Sequence, residues 1–152
     1  MAIHSLHATQ VIRASAGAAW DFFSNPRNLP RITPPALAFQ VLSEVPERMH
    51  PGLMIQYRVR PLFGVPMTWL TEITHVREGE YFVDEQRVGP YAIWHHEHHF
   101  KDLGDGRTEM RDLVTYVPPF GVLGELVHPF LIGPKIEEIF AYRRKVVETL
   151  FP

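Results

Sequence analysis

The run Trp94-His95-His96-Glu97-His98-His99-Phe100 packs four imidazoles into five residues. An imidazole gains or loses a proton near neutral pH and ligates metals. Three chemistries are therefore open: acid–base catalysis, orientation of a ligand's polar group, and metal binding. The surrounding stretch, residues 91–103, predicts a strand, and a strand sorts these histidines onto opposite faces. Trp94, His96, His98 and Phe100 share one face, and His95, Glu97, His99 and Lys101 share the other. Large apolar residues bound the first set, so it is expected to face the core. Imidazoles there need partners, because a buried polar group without one costs several kcal/mol, on the order of 2–7.

The following strand offers one. In 107–117, Glu109 and Arg111 mark the solvent side and leave Met110, Asp112, Val114 and Tyr116 inward. Matching inward faces across the turn requires an odd number of loop residues, which Gly104-Asp105-Gly106 satisfies. Phe100 then faces Met110 and His98 faces Asp112. In 80–88 the inward set is expected to be Phe82, Asp84, Gln86 and Val88, since the alternate face carries Glu85 and Arg87. Gln86 and His96 are expected to extend the His98–Asp112 pair. By the same parity Leu53, Ile55, Tyr57 and Val59 point inward in 53–61. In 66–78 the inward residues are Met67, Trp69, Thr71 and Ile73.

His96 and His98 lie about 6.7 Å apart along a strand, close enough to share an ion. A third ligand must come from another element, and Asp112 could serve. His-x-His alone is a weak signal, and neither a metal nor any other cofactor is expected. His95, Glu97 and His99 read as an ordinary solvated face. With no cysteine and no G-x-S-x-G, nucleophilic catalysis has little support.

The elements that hold these residues are marked by turns at Pro51-Gly52, Gly64-Val65-Pro66, Glu78-Gly79, Gly89-Pro90 and Gly104–Gly106. Strands are predicted at 36–45, 53–61, 66–78, 80–88, 91–103 and 107–117, with residues 3–12 as a seventh. Ser15 caps a short helix that Asn25-Pro26 ends, and a further helical turn is expected over 28–32. From Pro134, the residues Ile136, Ile139, Phe140, Val146, Val147 and Leu150 form one stripe of a long helix, with Arg143 the polar exception. A sheet with one apolar face must cover it, and this helix is the large cover available.

Composition agrees with a single domain over 1–152: hydrophobic residues are 45% and charged residues 21%. A net charge of −2 argues against nucleic acid as a partner. No stretch is apolar enough to span a bilayer and no secretory signal is visible, so a cytoplasmic location is expected.

Three sets of motifs resemble the START-like helix-grip superfamily, which includes lipid-transfer START domains, birch-pollen-allergen-like proteins and polyketide cyclases. The first is Trp94-x-His96-x-His98-x-Phe100. The second is Gly106-x-Thr108-x-Met110-x-Asp112-x-Val114-x-Tyr116-x-Pro118, continuing to Gly121-x-x-Gly124. The third comprises Asp84-Glu85-Gln86, Gly89-Pro90 and Phe140-x-x-Arg143. The resemblance implies an α+β fold: a seven-stranded antiparallel sheet wrapped around a long C-terminal helix, with two short helices after the first strand. It also implies a mostly apolar ligand cavity between sheet and helix.

The expected function is binding of a hydrophobic or amphipathic small molecule: a lipid, isoprenoid, quinone or polyketide-like compound. Tyr57, Trp69, Trp94 and Tyr116 would line the cavity, and Gln86, His96, His98 and Asp112 would orient one polar group. Val117 to Gly133, with Phe120, Leu123 and Leu126, is expected to form a lid at the cavity mouth. Two alternatives stay open. One is a cofactor-free cyclase, dehydratase or isomerase using His98 with Asp112 as general base; the other is a protein-interaction module docking through the lid region.

Overall fold

The computed structural model describes residues 1–61 and 63–152. Its strands are β1 (His4–Ile12), β2 (Gln40–Val41), β3 (Leu53–Val59), β4 (Met67–Arg77), β5 (Tyr81–Val88), β6 (Ile93–Asp102) and β7 (Thr108–Val117). They form one antiparallel sheet in the order β1-β7-β6-β5-β4-β3-β2. The helices are α1 (Ala16–Phe23), α2 (Val122–Val127) and α3 (Gly133–Leu150). A π-turn over His128–Ile132 joins the last two, and 3₁₀ turns occupy Pro26–Ile32 and Pro35–Leu37. This is the helix-grip arrangement of a curved sheet around its C-terminal helix.

Local chemistry explains most boundaries. Ser15 Oγ accepts the Ala18 N–H at 3.3 Å and caps α1. Asn25 Oδ1 then accepts the Arg27 N–H at 3.1 Å, and Pro26 opens the 3₁₀ turn that follows. At the β6–β7 turn, Gly104 and Gly106 adopt φ of 80° and 77°, a left-handed backbone that disfavours side chains. That loop pairs Phe100 with Met110 and His98 with Asp112. Register shifts at Leu70/Thr71 and Ile73/His75 mark bulges between β4 and β5, where a strand bends and twists more strongly. The α3 stripe buries Ile136, Phe140 and Val147.

Two expectations need correction. The strand over 36–45 contracts to Gln40–Val41, because Pro34 and Pro35 set a 3₁₀ turn and Ala38 is left-handed at φ 43°. Beyond it Ser43 Oγ takes the Gln56 N–H at 3.0 Å, a side chain replacing a ladder carbonyl. Met67 and Val88, assigned inward by parity, are exposed at strand ends that extend past the core.

Candidate functional site

β5, β6 and β7 lie side by side, and each contributes one rung of a buried polar ladder. Asp84 pairs across the sheet with His96, and His98 with Asp112. The two imidazoles stack, with ring centroids 3.7 Å apart, between these carboxylates. His96 Nε2–H donates to Asp112 Oδ1 at 2.8 Å, and His98 Nε2–H donates to Asp84 Oδ2 at 2.8 Å. The remaining nitrogens point the other way: His96 Nδ1 lies 3.8 Å from Asp84 Oδ2, and His98 Nδ1 lies 3.1 Å from Asp112 Oδ1. Each ring therefore bridges from one carboxylate to the other. Phe82 stacks on His98 at 4.1 Å, and Phe140 meets His96 at 5.6 Å, so packing fixes both ring planes.

Charge is distributed unevenly over this ladder. Burial, reinforced by the neighbouring His98, pushes the His96 pKa down to about 4 and keeps that ring neutral. Burial opposes charge on His98 as well, but the two carboxylates that flank the ring, Asp112 and Asp84, overcome it and raise its pKa. For Asp84 and Asp112, burial works against ionisation and the imidazoles prevail, so both carboxyls titrate below their ordinary value. Arg143, reaching in from α3, brings Nη1 to 3.8 Å from Asp112 Oδ1 and lies over the Phe140 ring. Two carboxylates thus face one guanidinium and an imidazole whose proton they help to retain, in a poorly solvated place.

Beside the ladder a cavity of about 130 Å³ opens between the sheet and α3. Tyr57, Trp69, Trp94, Phe82 and Phe140 form much of its wall, and Asp84, His96, His98 and Arg143 form its polar end. The 3₁₀ segment Pro26–Ile32 lies across it. Asp112 stands behind the histidines, away from the cavity.

The structure brings together His96, His98, Asp112, Tyr57, Trp69 and Trp94, and sets the other expected residues elsewhere. Gln86 is not part of the ladder. Its Nε2–H donates to Tyr91 O at 2.6 Å and its Oε1 accepts the Tyr91 N–H at 3.2 Å, clamping the β5–β6 turn. A Cβ on Gly89 would come within 2.4 Å of that amide oxygen, which explains the glycine. Gln86→Ala should accordingly cost about 1–3 kcal/mol of stability in urea unfolding. It should leave the cavity's polar end intact; a loss within 0.5 kcal/mol, on the order of an ordinary surface change, would contradict the clamp.

Tyr116 is buried but off the cavity wall; its hydroxyl is hydrogen-bonded to His128 Nε2 at 2.7 Å. Phe120, Leu123 and Leu126 are exposed and do not line the cavity. Glu125 ties α2 to the start of the chain through the Ala2 N–H and His4, at the β1 edge of the sheet. That edge lies away from the β3–β6 wall, whereas Pro26, Asn28, Leu29 and Ile32 line the cavity.

Two site residues escaped the sequence reading: Asp84 as a partner of His98, and Arg143 as a cavity residue. A turn centred on Gly89-Pro90 places Asp84 opposite His96, and that was the available signal. On the outer face, His95, Glu97 and His99 are half-buried in a line of close imidazole–carboxylate contacts with Glu85 rather than freely solvated. For metal binding, a ring nitrogen each from His96 and His98 and a carboxylate oxygen of Asp84 lie within 4.8 Å of one another. Among the described residues no helix is long and apolar enough to cross a membrane.

Comparison with solved structures places the fold among known helix-grip proteins. The chain superposes on the Zhui aromatase/cyclase from Streptomyces sp. R1128 with a TM-score of 0.76 at 14% identity, covering 97% of this chain and 93% of that one. A START superfamily protein from Mycobacterium smegmatis gives 0.71 at 17% identity, covering 97% and 99%. The major latex-like protein 151 of Panax ginseng gives 0.70 at 15%, covering 98% and 97%. Comparison with curated protein sequences yields no match. Residues 12–133 match the family described as "Polyketide cyclase / dehydrase and lipid transport". With that match spanning most of its length, the chain belongs to the polyketide cyclase/dehydrase and lipid transport family of START-like helix-grip proteins.

Proposed function

We propose that the protein binds an apolar, ring-containing small molecule with at least one acceptor oxygen, held between the sheet and α3. The observation that carries this reading is a pair of unmatched donors at the cavity. Trp69 Nε1 and Arg143 Nε are buried without a hydrogen-bond partner among the described residues, and both side chains line the cavity. An oxygen acceptor supplied by a ligand would satisfy a donor that the fold leaves open. The family description, which joins cyclases, dehydrases and lipid transport, supports the same class of ligand.

Size narrows the choice. A cavity of about 130 Å³ compares with the roughly 150 Å³ apolar cavity that accepts benzene. A compact ligand of one or two fused rings suits it better than a whole lipid or isoprenoid chain. A longer ligand would require Pro26–Ile32 to move aside.

Binding of 1,4-naphthoquinone and of naphthalene to chelator-treated protein, followed by tryptophan fluorescence, tests the proposal. The quinone should bind more tightly. Arg143→Met should weaken the quinone about 10–100-fold, the loss of one hydrogen bond to a charged group, while naphthalene changes little. Equal binding of both compounds, or of neither, would remove the basis for the reading.

The electrostatics support a second reading, an enzymatic one. His98 Nε2–H is hydrogen-bonded to Asp84 with Asp112 behind the ring, and the two carboxylates raise its pKa, which favours proton donation to a departing hydroxyl over the general-base role expected from sequence. A dehydratase would then lose at least a hundredfold in turnover on His98→Gln with ligand affinity kept.

A further inference from the structure

We propose that Asp84, His96 and His98 form a site for one first-row divalent transition ion, of the zinc or ferrous kind, with its remaining coordination positions facing the cavity. The site goes beyond the ligand reading above and does not depend on it.

The donor set is two imidazoles and one carboxylate, whose mixed nitrogen and oxygen character selects borderline transition ions over magnesium or calcium. The distances fit. Ligand bonds of about 2.0–2.2 Å place neighbouring donors of a bound ion roughly 3.0–3.5 Å apart. His98 Nε2 lies 2.8 Å and His96 Nδ1 lies 3.8 Å from the same Asp84 oxygen, so movements of under about 1 Å bring both into range. The two rings already present to Asp84 the nitrogens that an ion there would use.

An independent feature points the same way. Ligating histidines characteristically hand their second ring nitrogen to a carboxylate, which fixes the tautomer and strengthens the donor. Here Asp112 meets both second nitrogens at once, His96 Nε2 at 2.8 Å and His98 Nδ1 at 3.1 Å. His98 Nδ1 is buried and lacks an aligned partner in this arrangement. A small rotation of its ring, as Nε2 gives up its proton to solvent and turns from Asp84 to an ion, gives Nδ1–H scope to align with Asp112. Asp112 lies behind the rings and off the cavity, whereas Asp84, His96 and His98 line it. Three ligands on the protein side thus leave the cavity side open, the arrangement of a reactive rather than a purely structural site. A ligand oxygen would reach the ion within reach of Arg143.

Cobalt(II) serves as the probe because its visible absorption reports both binding and ligand geometry. Chelator-treated full-length protein, without any organic ligand, should take up one equivalent and develop an absorption band. His95→Ala/His99→Ala, on the outward face of β6, should bind equally well. Asp84→Asn should weaken binding by more than the roughly 10–100-fold that loss of an outer carboxylate costs. Because a buried variant can fail to fold, zinc titration of ¹⁵N-labelled wild type supplies a second readout. Ring nitrogens of His96 and His98 should shift while those of His95 and His99 stay put. Absence of cobalt uptake by wild type at millimolar ion, loss of binding in the outward double variant, or unshifted His96 and His98 would each overturn the site. The naphthoquinone experiment, run with chelator, stands or falls separately.

Discussion

Asp112→Ala is expected to cost the protein about 3–5 kcal/mol of unfolding free energy, the range typical of removing one partner from a buried ionic cluster. Asp112 is only 6% exposed, and one of its oxygens serves His96, His98 and Arg143 together. Without it, His98 keeps Asp84 alone, His96 loses the acceptor for its Nε2–H, and Arg143 loses its nearest anion. Only a crevice of about 20 Å³, lined by Gln10, Phe140 and Arg144 among others, gives water a way to the vacated position. Asp112→Asn keeps an acceptor of the same shape and removes only the charge, so its cost should fall between that of alanine and wild type. Glu97→Ala, on the opposite face of β6 and about one-third exposed, should cost under about 1 kcal/mol despite its contacts with His95 and His99. Urea unfolding midpoints at pH 7 rank the three variants. Should alanine at position 112 cost no more than alanine at 97, the ladder is wet and its charges screened.

The contrast between Asp112 and Gln86 shows how far the sequence could be read. His98 against Asp112 followed from strand parity and a three-residue glycine loop, two local rules that leave a single register. Most strand positions, the α1 cap and the α3 stripe were legible because each is decided by a local pattern, whereas the pairing of β1 with β7 joins the two ends of the sheet's sequence and was not. Gln86 passed the parity rule too, yet its amide was claimed by the backbone of Tyr91, five residues on. Parity says which way a side chain leaves the strand; it does not say where a flexible amide ends. Asp84 was placed on the inward face but not paired, because its partner depends on where the β5–β6 turn is centred. The lid failed differently. Phe120, Leu123 and Leu126 are apolar enough to cover a cavity, but the contact that anchors α2 joins Glu125 to His4 and Ala2 across most of the chain. No local pattern announces such a contact, and nothing in the helical turn expected over 28–32 says that it borders the cavity.

Stability of chelator-treated protein should peak near pH 6.5 and fall on both sides, with the buried histidines setting both slopes. On the acid side the relevant group is His96, whose folded pKa is about 4 against an ordinary 6.5. Between these values the unfolded chain binds a proton that the folded chain refuses, so acid favours unfolding. The loss accumulates at about 1.4 kcal/mol per pH unit and reaches about 3 kcal/mol by pH 4. His128, also held below its ordinary value by burial and by His4, adds a smaller contribution of the same sign. Below pH 4 the carboxyls take over: Asp84 and Asp112 titrate below their ordinary 3.8 when folded, so their stabilisation disappears as they become protonated. On the alkaline side the sign reverses. The folded state holds the His98 proton above the ordinary value, so its contribution is complete below pH 6.5 and is lost as pH rises through the raised folded pKa. Urea unfolding from pH 4 to pH 9 traces the curve, and His96→Gln separates its parts. That variant should be less stable at pH 7, yet lose most of the slope between pH 6.5 and pH 4 while keeping the alkaline limb. An acid slope as steep in His96→Gln as in wild type would assign it to another group and would mean that position 96 does not shelter a neutral imidazole.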